Sequence, residues 1–137
     1  MDGISISPMG AYAADEVLRL YEAVGWTNYT RRPEMLRRAV EGSLLVLEAR
    51  HNGRLVGLVR AVGDGASILY IQDLLVLPEY RRRGLGTRLL RAALESCPDV
   101  YQTVLLTDGT AEHAAFYEQA GFTKAEKYGC GAYVIFK

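Results

Sequence analysis

From Ile68 to Leu77 the chain is almost continuously apolar, and after Pro78 it passes at once into Tyr80-Arg81-Arg82-Arg83-Gly84-Leu85-Gly86-Thr87 and then into a helical pattern. The apolar run, broken only by Gln72 and Asp73, reads as a long strand. Past the arginines, Leu85, Leu89, Ala92 and Ala93 share a helical face with Leu90 and Leu94 beside them, and Pro98 stops the helix. Val100 to Leu106 then resumes β character. A strand, a helix and another strand in that order require a parallel crossover, which restricts the chain to folds whose sheet carries packed helices.

The preceding half supplies the antiparallel part of such a sheet. Ile4 and Ile6 alternate with Ser5 and Ser7 as in a short strand with one buried face. Ala14, Val17, Leu18, Tyr21 and Val24 recur at three and four, predicting a helix from about Ala13 to Val24 that Gly25 closes. Trp26 to Thr30 reads as a loop, and Pro33 opens a second helix that stops at Gly42. Leu44–Ala49 and Leu55–Val62 are strands joined across Asn52-Gly53, a pair that tolerates the positive φ of a tight hairpin. Gly63-Asp64-Gly65 turns the chain again into the long strand, completing a three-strand meander. At the far end, Gly109-Thr110 precede a helix from Ala111 to Ala120 with Gly121-Phe122 as its cap, and Lys124–Lys127 and Ala132–Phe136 read as two last strands. The expected fold is α/β, a mixed sheet with helices on both faces. Its 137 residues, half of them hydrophobic, suit a single domain spanning 1–137.

Charge excludes several function classes. Lys plus Arg and Asp plus Glu number 16 each, so no global field recruits nucleic acid or an anionic membrane, and any anion site must be local. There is no bilayer-length apolar stretch and no signal-like N-terminus, which places the expected protein in the cytoplasm. Cys97, Cys130, His51 and His113 show no metal-ligand spacing, so no metal is expected.

The basic loop is the place where a local anion site fits. The first turn of a helix carries unpaired N–H groups and the positive end of the dipole, and glycines there let a diphosphate approach the backbone. Arginine forks add charge-assisted donors. The spacing is not that of a dinucleotide fingerprint, the preceding strand does not open a βαβ unit, and no Gly-Lys-Ser/Thr of a P-loop follows.

Val76 to Gly86, read as V-x-P-x-Y-R-R-x-G-x-G before an amphipathic helix, resembles the acyl-coenzyme A pyrophosphate loop of the GNAT superfamily of N-acetyltransferases. Ala115-Phe116-Tyr117-Glu118-Gln119-Ala120-Gly121-Phe122 is similar to that superfamily's later F/L-Y-E-x-x-G-F segment, and the element order agrees over nearly the whole chain. The resemblance implies a GNAT-like, mostly antiparallel central sheet and acetyl transfer from acetyl-coenzyme A to a primary amine in a ternary complex. It implies that backbone N–H groups of Arg81, Arg82, Arg83, Gly84, Leu85, Gly86 and Thr87 hold the diphosphate. By the same resemblance Val76 and Leu77 flank the pantetheine arm where the strand splays from the next one, and the thioester ends near Leu75 and Val76, where a main-chain N–H can meet the oxyanion.

Tyr117 matches the superfamily tyrosine that protonates the leaving thiolate; the other reading is that it packs with Phe116 and Phe122, its hydroxyl bonded to backbone. Asp73, an acid inside an apolar strand, is the candidate base, acting through water or binding a cationic substrate. The alternative is a structural pair with an arginine such as Arg60. Tyr70-Ile71-Gln72-Asp73 resembles the diamine acetyltransferases, where an acid stands at the Gln72 position and is credited as base; Gln72 departs from that and is left as a substrate contact. Trp26 and Tyr29, with Asn28 between them, sit in the loop that overhangs the acceptor pocket in the superfamily and suit a cationic or aromatic amine; Trp26 equally suits a core anchor. The segment from Tyr21 to Thr30 looks like small bacterial members labelled aralkylamine acetyltransferase-like. Arg31, Arg32, Arg37 and Arg38 form a basic patch with two readings, a solvated face or a contact for the 3′-phosphate of coenzyme A or an acidic substrate, and Cys130 has no basic partner to make it a nucleophile. Two other functions stay open: a non-catalytic acyl-coenzyme A sensor or interaction module, and acetylation of protein N-termini or lysines. The apolar run Ala132–Phe136 is suited to a homodimer, which nothing in the residues demands.

Overall fold

The computed structural model describes residues 3–137, and these divide into two compact units, one ending at Leu106 and one running from Thr107 to Lys137. The first unit is built on a five-stranded sheet in the order β1-β2-β3-β4-β5, with β1 at Ile4–Pro8, β2 at Leu45–His51, β3 at Arg54–Gly63, β4 at Ile68–Val76 and β5 at Gln102–Leu105. Each of the first four pairs antiparallel with its neighbour, and β5 pairs parallel with β4, Ile68 opposite Gln102 and Ile71 opposite Leu105. The expected crossover is therefore present, and α4 (Leu85–Ser96) makes it. Asn52 and Gly53 take φ of 52° and 82° in the β2–β3 hairpin, the double left-handed turn whose twist matches that of the strands it joins.

Helices α1 (Ala14–Ala23), α2 (Thr27–Thr30) and α3 (Pro33–Glu41) precede the sheet's long hairpins. The first and third match the sequence expectation. The second is a single helical turn where a loop was expected, closed by Arg31 N–H donating to the carbonyl of Thr27. Side-chain parity along β3 places the helices on opposite faces. A Cβ on Gly57 would meet Leu89 of α4 at 3.0 Å, whereas Arg60, an odd number of residues later, reaches the layer of α1 through Asp73 and Tyr21. Leu85, Leu89, Leu90 and Ala93 of α4 are buried, as are Val17, Leu20 and Tyr21 of α1 and Leu36 and Val40 of α3. Each such leucine contributes roughly 1.5–3 kcal/mol by leaving water.

Pairing between β3 and β4 slips once. Arg60 faces Asp73 and Ala61 faces Ile71, so Gln72 is the extra residue of a β-bulge. Bulges bend a strand and re-aim its side chains, and they concentrate beside active sites.

In the second unit α5 (Ala111–Gln119) begins at Thr110, whose Oγ1 accepts from the N–H of His113, and ends where Gly121 (φ 99°) lets Phe122 N–H donate to Tyr117 O. The two last strands expected from the sequence are absent. Lys124–Lys127 is instead drawn into a 3-10 turn over Ala125–Tyr128, because Lys127 N–H donates to Lys124 O, Cys130 N–H donates to Ala125 O, and Gly129 takes a left-handed φ of 76°. Ala132–Phe136 has the composition of a strand but no ladder partner among the described residues, and composition without a partner does not make one. No helix among the described residues is long and apolar enough to cross a membrane.

Candidate functional site

The loop after β4 is shaped by two left-handed residues. Leu77 N–H extends the ladder by one bond to Val56 O, Pro78–Tyr80 form one 3-10 turn, and Arg81 folds its Nε back onto Val76 O at 3.2 Å. Arg82 then takes φ 61° and Gly84 φ 80°, and Gly84 becomes the N-cap of α4. No side chain caps α4 and no acidic residue stands in its first turn. The N–H groups of Leu85, Gly86 and Thr87, which have no intrahelical partner, are thus left for an outside anion. Arg81, Arg82, Arg83, Gly84 and Thr87 are exposed and Leu85 is buried, pinning the start of the helix to the core. An uncapped, glycine-led helix start ringed by arginines fits a diphosphate.

Next to it, β4 has a free edge. β5 accompanies β4 only as far as Ile71, so Gln72 to Val76 have no ladder partner on that side among the described residues. The resemblance led to an expectation that the strands part beside Leu75, Val76 and Leu77; an unpaired edge of this kind can pair with an extended ligand.

Asp73 points to the other side, into a buried polar cluster. Its Oδ2 accepts from Tyr21 Oη and from Arg60 Nε, both at 2.7 Å, and Oδ1 accepts from Tyr29 Oη at 3.3 Å. Asp73 is 1% exposed and Arg60 5%. The guanidinium spends its other donors on Ser43 Oγ, Ala39 O and Tyr29 Oη. Burial opposes the charge on Arg60, yet the adjacent carboxylate leaves its pKa raised. Burial first, then the Asp73 charge, push the phenols of Tyr21 and Tyr29 up, so both stay protonated near neutral pH.

The structure brings Trp26, Tyr29, Gln72 and Asp73 together. Tyr29 sits on α2 with its ring stacked on Trp26 (centroids 6.2 Å, planes 27° apart) and edge-on to Tyr21 at 5.2 Å. Gln72, turned outward by the bulge, donates to Tyr29 Oη at 3.4 Å. Trp26 and Tyr29 are half-buried and Gln72 is exposed, which leaves an aromatic, neutral surface over the ion pair. Sequence reasoning missed Tyr21, which it counted only as an apolar helix position. The available signal was a lone acid inside an apolar strand, which demands buried donors from whatever packs on it. Of the basic group, Arg37 pairs with Glu41 at 3.5 Å and lies over Tyr12, and all four arginines are exposed.

In the second unit Tyr117 is half-buried with Phe116 and Phe122 edge-on at 5.0 and 5.9 Å. Burial, then the nearby Asp108 charge, raise its phenol above the ordinary value, so it stays protonated near neutral pH. Cys130 is exposed, and its Sγ lies 3.8 Å from Tyr128 O.

The model of the Acetyltransferase (GNAT) family matches residues 12–122. An uncharacterized ycf52-like N-acetyltransferase of Prochlorococcus marinus is 32% identical over 119 residues, covering 82% of this chain and 63% of that protein. The ycf52 protein of Pyropia yezoensis is 24% identical over 114 residues, 80% of this chain and 64% of its own length. The chain thus spans just under two thirds of these curated relatives. Among solved structures, a GNAT-family acetyltransferase from Streptococcus pneumoniae superposes with a TM-score of 0.88 at 39% identity, covering 98% of each chain. A PaiA N-acetyltransferase from Thermoplasma acidophilum, solved with coenzyme A, shares the fold at a TM-score of 0.70 and 17% identity, covering 88% and 89%.

Proposed function

The chain belongs to the GNAT family of acetyltransferases, and on that premise we propose that it moves the acetyl group of acetyl-coenzyme A onto a primary amine of a small molecule. The observation that carries this reading is the join of β4 to α4: a strand edge unpaired beyond Ile71, followed directly by an uncapped helix start bent by Arg82 and Gly84. A strand edge suits the amide-bearing pantetheine arm and the helix start suits the diphosphate, in the order in which they occur along the coenzyme.

In this reading the main chain from Arg81 to Thr87 binds the diphosphate and Leu75, Val76 and Leu77 line the arm. The amine nitrogen bonds to the acetyl carbon, an unpaired β4 N–H stabilises the oxyanion, and the C–S bond breaks. Tyr117 gives its proton to the departing thiolate, an assignment that rests on its motif. The proton shed by the amine goes to solvent. Asp73 already accepts from three donors, so its part is to fix Tyr29 and Arg60 beneath the acceptor rather than to take the proton itself. Trp26, Tyr29 and Gln72 form the acceptor surface. Its aromatic faces and balanced charge suit an aralkylamine better than a polyamine, which would call for unpaired carboxylates.

Thiol release from acetyl-coenzyme A across a panel of aralkylamines, diamines, amino sugars, amino acids and peptides tests the proposal. Turnover should be highest on an aralkylamine. Coenzyme binding without turnover on any acceptor would leave a sensor instead, and turnover confined to peptides would move the acceptor to proteins.

A further inference from the structure

His51 has no role in the chemistry above, yet it makes one of the shortest side-chain contacts in the first unit. It is the last residue of β2, and its Nδ1 lies 2.6 Å from Tyr80 Oη in a hydrogen bond, with the two rings edge to face at 5.5 Å. Its outer edge is seated against Gly3, where an added Cβ would stand 3.4 Å from Cδ2. Tyr80 ends the 3-10 turn that starts the coenzyme loop; it is only 9% exposed, and the guanidinium of Arg83 lies 5.2 Å over its ring.

We propose that His51 is a positioning residue for the coenzyme loop, holding Tyr80 so that the turn from Arg81 to Gly84 keeps the shape that presents its N–H groups to the diphosphate. The proposal rests on the acetyl-coenzyme A reading above. A left-handed arginine is disfavoured, so Arg82 stays at φ 61° only while both ends of the loop are held. The far end is held by buried Leu85. At the near end one alternative tie, Arg54 to Glu79 at 3.3 Å, is more than half exposed on both sides and contributes little. Beside the main-chain bond from Leu77 N–H to Val56 O, which stops short of the turn, the His51–Tyr80 bond is then the less exposed side-chain tether, among the described residues, from the β2–β3 hairpin to the loop.

Calorimetric titration with coenzyme A, alongside steady-state kinetics, tests this. His51→Leu should weaken coenzyme A binding by roughly two- to tenfold, the range one hydrogen bond supports, and should raise KM for acetyl-coenzyme A while kcat changes far less. Tyr80→Phe should lose the same factor, and the double variant no more than either single one, because all three remove a single bond. His51→Asn, which keeps a polar atom near the Nδ1 position, should recover most of the affinity; it and Tyr80→Phe are mild enough to test the idea should His51→Leu not fold. Wild-type affinity in His51→Leu or Tyr80→Phe, losses that multiply in the double variant, or a fall in kcat at unchanged affinity would each overturn the proposal. Absence of coenzyme A binding by the wild-type protein would instead remove the acetyltransferase reading, and this inference with it.

Discussion

Arg60 Nε donates to Asp73 Oδ2 across 2.7 Å, between adjacent strands and almost wholly out of water. Such a pair adds little net stability when whole, but breaking it strands a buried charge. Asp73→Asn keeps the shape and a hydrogen-bond acceptor while leaving the Arg60 charge uncompensated, so it should destabilise the protein by about 3–5 kcal/mol. The paired replacement Arg60→Met with Asp73→Leu should cost less than that single change. Urea unfolding of the three proteins measures both; a cost for Asp73→Asn below about 1 kcal/mol would contradict a buried, charged pair.

A more exposed ion-pair network predicts acid sensitivity. Glu16 on α1 binds Arg50 on β2 through two bonds of 2.9 and 2.8 Å, and Arg50 also reaches Glu48. The bond to Arg50 holds the Glu16 carboxyl below its usual range, against a smaller opposing effect of burial. A group whose folded pKa is depressed contributes stability that is complete above its unfolded value, near 4.3, and lost as pH falls through the folded one. Melting temperature should therefore decline below about pH 4, and Glu16→Gln should flatten that decline. Parallel acid slopes for the two proteins would place the effect elsewhere.

The loop was legible in the sequence because its chemistry is local: arginines and glycines at fixed offsets between an apolar strand and an amphipathic helix dictate an uncapped helix start whatever surrounds it. Strands β1 to β5 were legible for the same reason, since alternation and the Asn52-Gly53 turn are properties of neighbours in the chain. The bulge at Gln72 and the bond from Tyr21 to Asp73 were not, because each depends on a partner far along the chain. Ala132–Phe136 failed in the opposite sense. Its pattern states a preference for strand, and strand formation needs a second strand that the pattern cannot name.

Tyr117 provides a test in which two roles give different answers. Tyr117→Phe keeps the ring that packs on Phe116 and Phe122 and removes the proton. As general acid its loss should lower kcat on the order of a hundredfold or more, with coenzyme A affinity unchanged. Since its phenol is raised, the wild-type rate should hold until above pH of about 10, where an acid of ordinary pKa would already be half ionised. Undiminished turnover by Tyr117→Phe would reduce the residue to packing.

Arg82 separates charge from conformation in the loop, because it contributes both a guanidinium and a left-handed φ of 61°. Arg82→Ala and Arg82→Gly each remove the guanidinium, so both should weaken coenzyme A binding and reduce its dependence on salt. Glycine populates the left-handed region without penalty, whereas alanine does not, a difference of about 1 kcal/mol in holding the loop shape. Arg82→Gly should therefore bind coenzyme A about fivefold more tightly than Arg82→Ala. Gly84→Ala, at φ 80° with nothing within 4 Å of the added methyl, should show the same conformational loss with no change in charge. Equal affinities for the two Arg82 variants in a calorimetric titration would mean that the loop adopts another shape around its ligand.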